Sequence, residues 1–291
     1  MEEKASKQKK HASKVIYTMT LLVLIGIFVV SAGMLVKYYI ESQQSQQTYS
    51  DIKDLRGDAT RPLPTAPRQT EASRPSETSE PTEPTLPLVT VTHPKTGEEV
   101  RLLPEFAELY LQNPDLVGWI TVPDTRVDYP VVQRPKELDY YLYRDFYGKR
   151  DSHGCIYVRE ACDVFAPSDN VTMYGHRMND KTMFAELVKL QKKEYVQENP
   201  YIYFDTLTEY HTYQIAYVLT TSASVGSGFA YHELVNADNE AEFNEFLANC
   251  RRYSLFDTGV EVHYGDKLIT LSTCEYTHEN GRLVVVAKRI D

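Results

Sequence analysis

The chain has 291 residues, with 31 basic against 41 acidic side chains, a formal net charge of −10 and 42% hydrophobic residues. That acidic balance, without a long Lys/Arg stripe interleaved with aromatics, speaks against a phosphate-binding surface and against nucleic acid as a partner. Four cysteines are too few for a disulfide scaffold in a domain of this size, and neither CxxC nor HExxH spacing occurs, so metal catalysis has little support.

Residues 1–14 are polar and carry Lys4, Lys7, Lys9, Lys10 and Lys14. The next stretch, VIYTMTLLVLIGIFVVSAGMLV, is free of charge up to Lys37. As a helix it spans about 30 Å, the thickness of a bilayer core. The lysines ahead of it put the N-terminus in the cytoplasm. We therefore expect a cytoplasmic tail (1–14), a transmembrane anchor (15–37) and an extracellular remainder. A cleaved signal peptide, with Ser31-Ala32-Gly33 at the cut, is the competing reading, but the apolar run is longer than a signal's core.

Residues 38–98 are expected to form a disordered Pro/Ser/Thr-rich stalk. Their 41–90 portion contains RPLPTAPRQTEASRPSETSEPTEPTLP, which buries too little apolar surface to offset the entropy of ordering. At its end stands Pro94-Lys95-Thr96-Gly97, good turn chemistry.

From residue 99 the pattern is that of a folded domain (99–291). LLPEFAELYLQNP predicts a short helix over Leu102–Gln112, stopped before Asn113-Pro114. Eight Val-, Ile-, Tyr- and Thr-rich segments follow as strands: LVGWITVP, VDYPVVQ, GCIYV, NVTMYG, YIYFDT, EYHTYQIAYVLTTSA, DKLITLSTC and RLVVVAKRI. Short helices fit around Thr182–Leu190, Lys192–Glu198 and Asn239–Tyr253. Many strands with few helices between them predict a mostly-β barrel rather than βαβ units.

The strand ITLSTC ends on a thiol, Cys274. Free cysteine is mostly protonated at neutral pH and needs a base or a cation beside it to act as a nucleophile. His176, just past the strand NVTMY and after Gly175, is the best base. Arg282 opens the last strand, and a hairpin through residues 275–281 would bring it back to the thiol, where a cation can stabilise developing charge on a carbonyl oxygen. A rival thiol is Cys155, in SHGCIY, which resembles the nucleophile string of L,D-transpeptidases. Tyr157 departs from that pattern, however, and no histidine lies between His93 and His153.

Together, TLSTC (270–274), YGH (174–176) and the arginine eight positions beyond the cysteine resemble the sortase family, over roughly residues 100–291 and the anchor ahead of them. DLVGWITVPDTRVDYPVVQ, YGHRMNDKTMFAEL and a long helix-bearing segment between His211 and Asp266 look like class B. The resemblance implies a closed eight-stranded barrel with N-terminal helices and a helix in the long connection before the catalytic strand. It implies a cysteine transpeptidase that cuts a C-terminal sorting motif of secreted proteins after Thr. A thioester on Cys274 is then passed to an amine of cell-wall peptidoglycan or, alternatively, to a pilin lysine. Proton transfer would fall to His176 and oxyanion binding to Arg282. Ser272 and Tyr231 would assist substrate binding, and no cofactor or metal is implied. Glu275 reads as a solvated charge. A tethered scaffold without activity is the reading from another class, and the intact Cys-His-Arg set argues against it. Pro-Lys-Thr-Gly at 94–97 has the form of a sorting motif, but no hydrophobic span and basic tail follow it, so no processing is expected. A Cys155–Cys162 bridge is conceivable from the sequence.

Overall fold

Helix α1 runs from Glu2 to Arg56 in the computed structural model, which describes residues 2–57, 89–92, 97–222, 228–276 and 280–291. Two compact units divide the chain, Met1–Gln47 and Thr48–Asp291. The first holds the apolar part of α1, whose best window has a mean hydropathy of 2.6 with no residue buried. It is long and apolar enough to cross a membrane.

The helix continues well past the expected end of the anchor, so residues 38–56 are not the extended stalk that their Gln/Ser content suggested. The reason is local. No proline or glycine interrupts this stretch before Gly57, and Gln, Glu, Lys and Leu are adequate helix formers. The helix closes where the Gly57 N–H turns back to the Lys53 and Asp54 carbonyls. Its last turns belong to the second unit and are held there. Ile52 is fully buried, and Tyr49 packs edge-on against Tyr129. Lys53 pairs with Asp128, while Arg56 reaches Asp205 at 3.2 Å and lies over the Trp119 ring at 4.7 Å. The predicted stalk residues 58–88 and the Pro94-Lys95-Thr96 turn lie outside the described residues.

A small hairpin, β1 (Thr90–Thr92) with β2 (Glu99–Arg101), precedes the barrel. Helix α2 (Pro104–Gln112) has proline in its first turn, where a missing N–H costs nothing, and buries Phe106, Ala107 and Leu109. The strands are β3 (Leu116–Thr121), β4 (Asp128–Val132), β5 (Ile156–Val158), β6 (Asn170–Tyr174), β7 (Tyr201–Thr206), β8 (Thr212–Ser222), β9 (Leu268–Cys274) and β10 (Gly281–Arg289). They close into a barrel in the order β10-β8-β7-β3-β4-β5-β6-β9. The pairs β4/β5 and β6/β9 are parallel, and the others antiparallel. Helix α3 (Lys193–Glu198) lies between β6 and β7, and α4 (Glu240–Tyr253) fills the long connection before β9.

Strand β10 explains its own run of valines. Leu283, Val285 and Ala287 face the barrel interior, whereas Val284 and Val286 join Phe243, Phe246 and Leu247 of α4 in a second core outside it. A strand covered on both faces needs apolar residues throughout. On β9, Ile269 and Leu271 take the interior face. Thr270 and Ser272 take the other, where they bond to Asn170 and Tyr231. By the same alternation Cys274 shares the face of Ser272.

Candidate active site

Cys274 is the last residue of β9, and its register partner across the antiparallel pair is Arg282 of β10. Directly opposed residues point to one face, with Cα atoms about 4.5–5.5 Å apart. The turn between them is closed by the Glu275 N–H on the Gly281 carbonyl at 2.9 Å. The hairpin therefore sets thiol beside guanidinium through local structure alone. The Arg282 guanidinium is steadied by the Gly281 carbonyl at 3.0 Å, and among the described residues no carboxylate neutralises it.

His176 arrives from the other side of β9. Tyr174 of β6 is in parallel register with Ser272, and the Gly175 N–H bonds to the Ser272 carbonyl at 3.2 Å. Gly175 is required here for space, not for a tight turn. A Cβ would lie 2.5 Å from Ile156 and 2.7 Å from Phe184. The half-buried His176 ring donates Nε2–H to the Leu142 carbonyl at 2.7 Å and lies 5.4 Å from the Tyr143 ring. A backbone carbonyl only accepts, so this bond fixes the hydrogen on Nε2 and leaves Nδ1 as the basic nitrogen. Burial lowers the His176 pKa below the ordinary histidine value. The Leu142 bond opposes that shift, and the charge of nearby His153 adds to it.

One cleft of about 990 Å³ is lined by Cys274, His176, Arg282, Ser272 and Tyr231, with Tyr143 and Arg159 among the other walls. The five predicted residues are thus brought together. Ser272 and Tyr231 are nearly buried and bonded to each other at 2.6 Å, so they form the floor more than the rim. Glu275 is not a solvated charge. It is buried at 5% exposure and faces Arg177 at 3.8 Å.

Cys155 lies apart from this chemistry. It is 2% exposed just ahead of β5, and burial pushes its thiol up to about 12, which removes the thiolate an attacking sulfur needs. All four cysteines are free, Cys155 and Cys162 included. Among the described residues no group of three or more His, Cys, Asp or Glu is placed to hold a metal ion.

The reading of side chains missed the Leu142 carbonyl, which orients the imidazole, and the 3-10 turn Tyr140–Tyr143 that carries it. It also missed Arg159, whose guanidinium bonds to the His232 carbonyl and ties the end of β5 to the segment bearing Tyr231. A carbonyl is common to every residue and leaves no mark in the sequence.

A closed β-barrel with a thiol, an imidazole and a guanidinium in one cleft has the furnishings of a cysteine acyl-transfer enzyme. Residues 120–290 match the family model described as a sortase domain. A Listeria monocytogenes sortase B is 33% identical over 189 residues, which cover 64% of this chain and 74% of that protein. A crystal structure of Bacillus anthracis sortase B superposes with a TM-score of 0.63 at 27% identity, covering 87% of this chain and 99% of that one. A Staphylococcus aureus sortase B–substrate complex superposes with a TM-score of 0.60 at 31% identity, covering 65% and 86%. The chain belongs to the sortase family of cysteine transpeptidases, and within it to class B.

Proposed function

We propose that Cys274 is the nucleophile of a transpeptidase that cleaves a Pro-x-Thr sorting motif after its threonine and transfers the threonyl group to an amine of cell-wall peptidoglycan. Direct opposition of Cys274 and Arg282 in the β9–β10 register, with His176 in the same cleft, carries this reading. His176 takes the Cys274 thiol proton as sulfur adds to the threonyl carbonyl, and the oxyanion that forms takes hydrogen bonds from the Arg282 guanidinium. The tetrahedral adduct collapses to a thioester as imidazolium gives its proton to the departing amine. The neutral imidazole next takes a proton from the incoming amine, which attacks the thioester and restores Cys274. Burial lowers the His176 pKa, so the neutral imidazole that accepts a proton is the prevailing form of His176 at neutral pH.

The proposal extends to the ends of the chain. Residues 15–37 anchor the enzyme with the N-terminus in the cytoplasm, and the catalytic unit, which begins at Thr48, lies outside the cell. The apolar helix and the lysines ahead of it support this placement.

The test incubates the full chain in detergent with an Asn-Pro-x-Thr peptide library and competing amines, read by mass spectrometry. A threonyl adduct on Cys274 is expected, absent from Cys274→Ala and released by the peptidoglycan stem-peptide amine in preference to a pilin-type lysine peptide. Activity that survives Cys274→Ala but is lost in Cys155→Ala would sink the assignment. Preference for the lysine peptide would move the acceptor to pilin.

A further inference from the structure

The string Ser152-His153-Gly154-Cys155, set aside above as a nucleophile, lies against His176 on two sides. His153 is fully buried. Its Nδ1 stands 3.1 Å from Asp151 Oδ1 and its Nε2 2.8 Å from Asp180 Oδ2. A neutral imidazole has one N–H, so satisfying both carboxylates takes the imidazolium. Burial works against that charge, and the two carboxylates outweigh it, holding the pKa above the ordinary histidine value.

Asp180 belongs to the loop that starts at His176. That loop is closed by the Phe184 N–H on the His176 carbonyl at 2.9 Å, and by Asp180 accepting from the Thr182 hydroxyl at 2.6 Å. On the other side, Gly154 has φ +62, and a Cβ there would lie 2.4 Å from the Leu142 carbonyl oxygen. This is the same oxygen that receives His176 Nε2–H. The next residue, Cys155, gives its N–H to the Tyr141 carbonyl at 3.1 Å. The Gly154 carbonyl accepts from Tyr49 of α1 at 2.6 Å.

We propose that His153 is a positioning residue for His176: by bridging Asp151 to Asp180 it holds the His176–Phe184 loop against the Tyr140–Tyr143 turn, so that the imidazole keeps its Nε2–H on Leu142 and offers Nδ1 to the cleft. The inference rests on the proton-transfer role given to His176. Besides Asp151 and Asp180, the Ser152 hydroxyl at 3.5 Å and His176 itself face His153, and the Cys155 thiol faces Asp151. Arg126 bonds to the Asp180 carbonyl. Asp145 and the Tyr49 phenol lie on the Asp151 side, and the Tyr129 phenol on the Asp180 side. Because the folded pKa of His153 is raised, the bridge is complete below the ordinary histidine value and is lost as pH rises through the folded one.

The experiment uses the full chain in lipid nanodiscs with its histidines isotope-labelled, unaltered and as His153→Gln, whose single amide nitrogen can replace only one of the two ring N–H donors, its oxygen being an acceptor. Ring-nitrogen NMR is expected to show His176 as the single Nε2–H tautomer in the unaltered protein and as a mixture in the variant. With an Asn-Pro-x-Thr peptide the variant should lose about tenfold in kcat with KM within about twofold, the signature of a misplaced group rather than lost substrate binding. Its acid limb should move to higher pH, since a charge that helps depress His176 is gone. Should the variant not fold, alkaline titration of the unaltered protein gives the same readout, because the His176 tautomer should change together with loss of the His153 proton. A His176 spectrum indifferent to His153, in the variant or through that titration, overturns the proposal. The NMR measurement needs no turnover, so failure of the transpeptidase reading would show as absent cleavage in the unaltered protein and would leave this result standing.

Discussion

Arg282 shows most directly how a residue gets its chemistry from its place in a strand pair. It faces Cys274 because β9 and β10 are in that register, and its charge has no carboxylate partner among the described residues. Lysine would keep the charge but not the fork of N–H donors that can span an oxyanion and a substrate carbonyl. Arg282→Lys should therefore lower kcat by ~10²–10³-fold with little change in KM, the size of effect seen when an oxyanion donor is removed; steady-state kinetics on a cleaved peptide measure it. His176 makes a second prediction. Its folded pKa is depressed, so on acidification an ordinary histidine protonates first and His176 only later. The acid limb of kcat/KM should accordingly lie below about 6.5, the unperturbed histidine value; a limb at or above it in the pH–rate profile would contradict the burial argument. Much of this site was legible in the sequence, since a thiol, an imidazole and a guanidinium must come from particular residue types. What supports them was not. The Leu142 carbonyl could come from any residue, and the buried Glu275 looks like any surface acid until Arg177 is seen facing it.

Elements of the barrel were legible for a related reason. Strands β3 to β10 all fall on segments rich in Val, Ile, Tyr and Thr, because such residues suit a pleated surface with one or both faces buried. The misses were short or judged on composition alone. Strand β1 stands at the end of the Pro/Ser/Thr-rich stretch that reads as stalk, and β2 is a three-residue partner just beyond it. The reach of α1 to Arg56 was hidden by a Gln/Ser-rich stretch that reads as linker, although the proline that would enforce an extended chain does not arrive until Pro62. The reach of the helix has an energetic consequence. Ile52 is fully buried in the unit that contains the barrel, so the last turns of α1 are part of the catalytic unit's core. Ile52→Ala should cost about 2–5 kcal/mol, the usual penalty for emptying a buried aliphatic site. For a unit of this size each kcal/mol lowers the melting temperature by about 2–4 °C. Calorimetry on the full chain checks it, and a melting temperature unmoved by the substitution would mean that these turns do not support the barrel.

At the scale of the whole molecule, cysteine burial and membrane topology can be read with one reagent. Cys155, Cys162 and Cys250 are 2%, 5% and 0% exposed, whereas Cys274 opens onto the cleft. A bulky, charged thiol reagent applied to the folded protein should therefore react at Cys274 and spare the other three. If the lysines ahead of the apolar helix stay in the cytoplasm, everything beyond Lys37 is outside. A membrane-impermeant maleimide added to intact cells should then label the chain fully, and permeabilising the cells should add nothing. Cys274→Ala should abolish the labelling, which separates the cleft thiol from any cysteine exposed by local opening. Retention of the apolar helix is read from the same band. An intact anchor leaves the labelled species in the membrane fraction at 33.4 kDa, while a cut near Ser31-Ala32-Gly33 would shorten it and release it on washing. Labelling only after permeabilisation would place the catalytic unit on the cytoplasmic side, where no secreted protein would present it with a sorting motif.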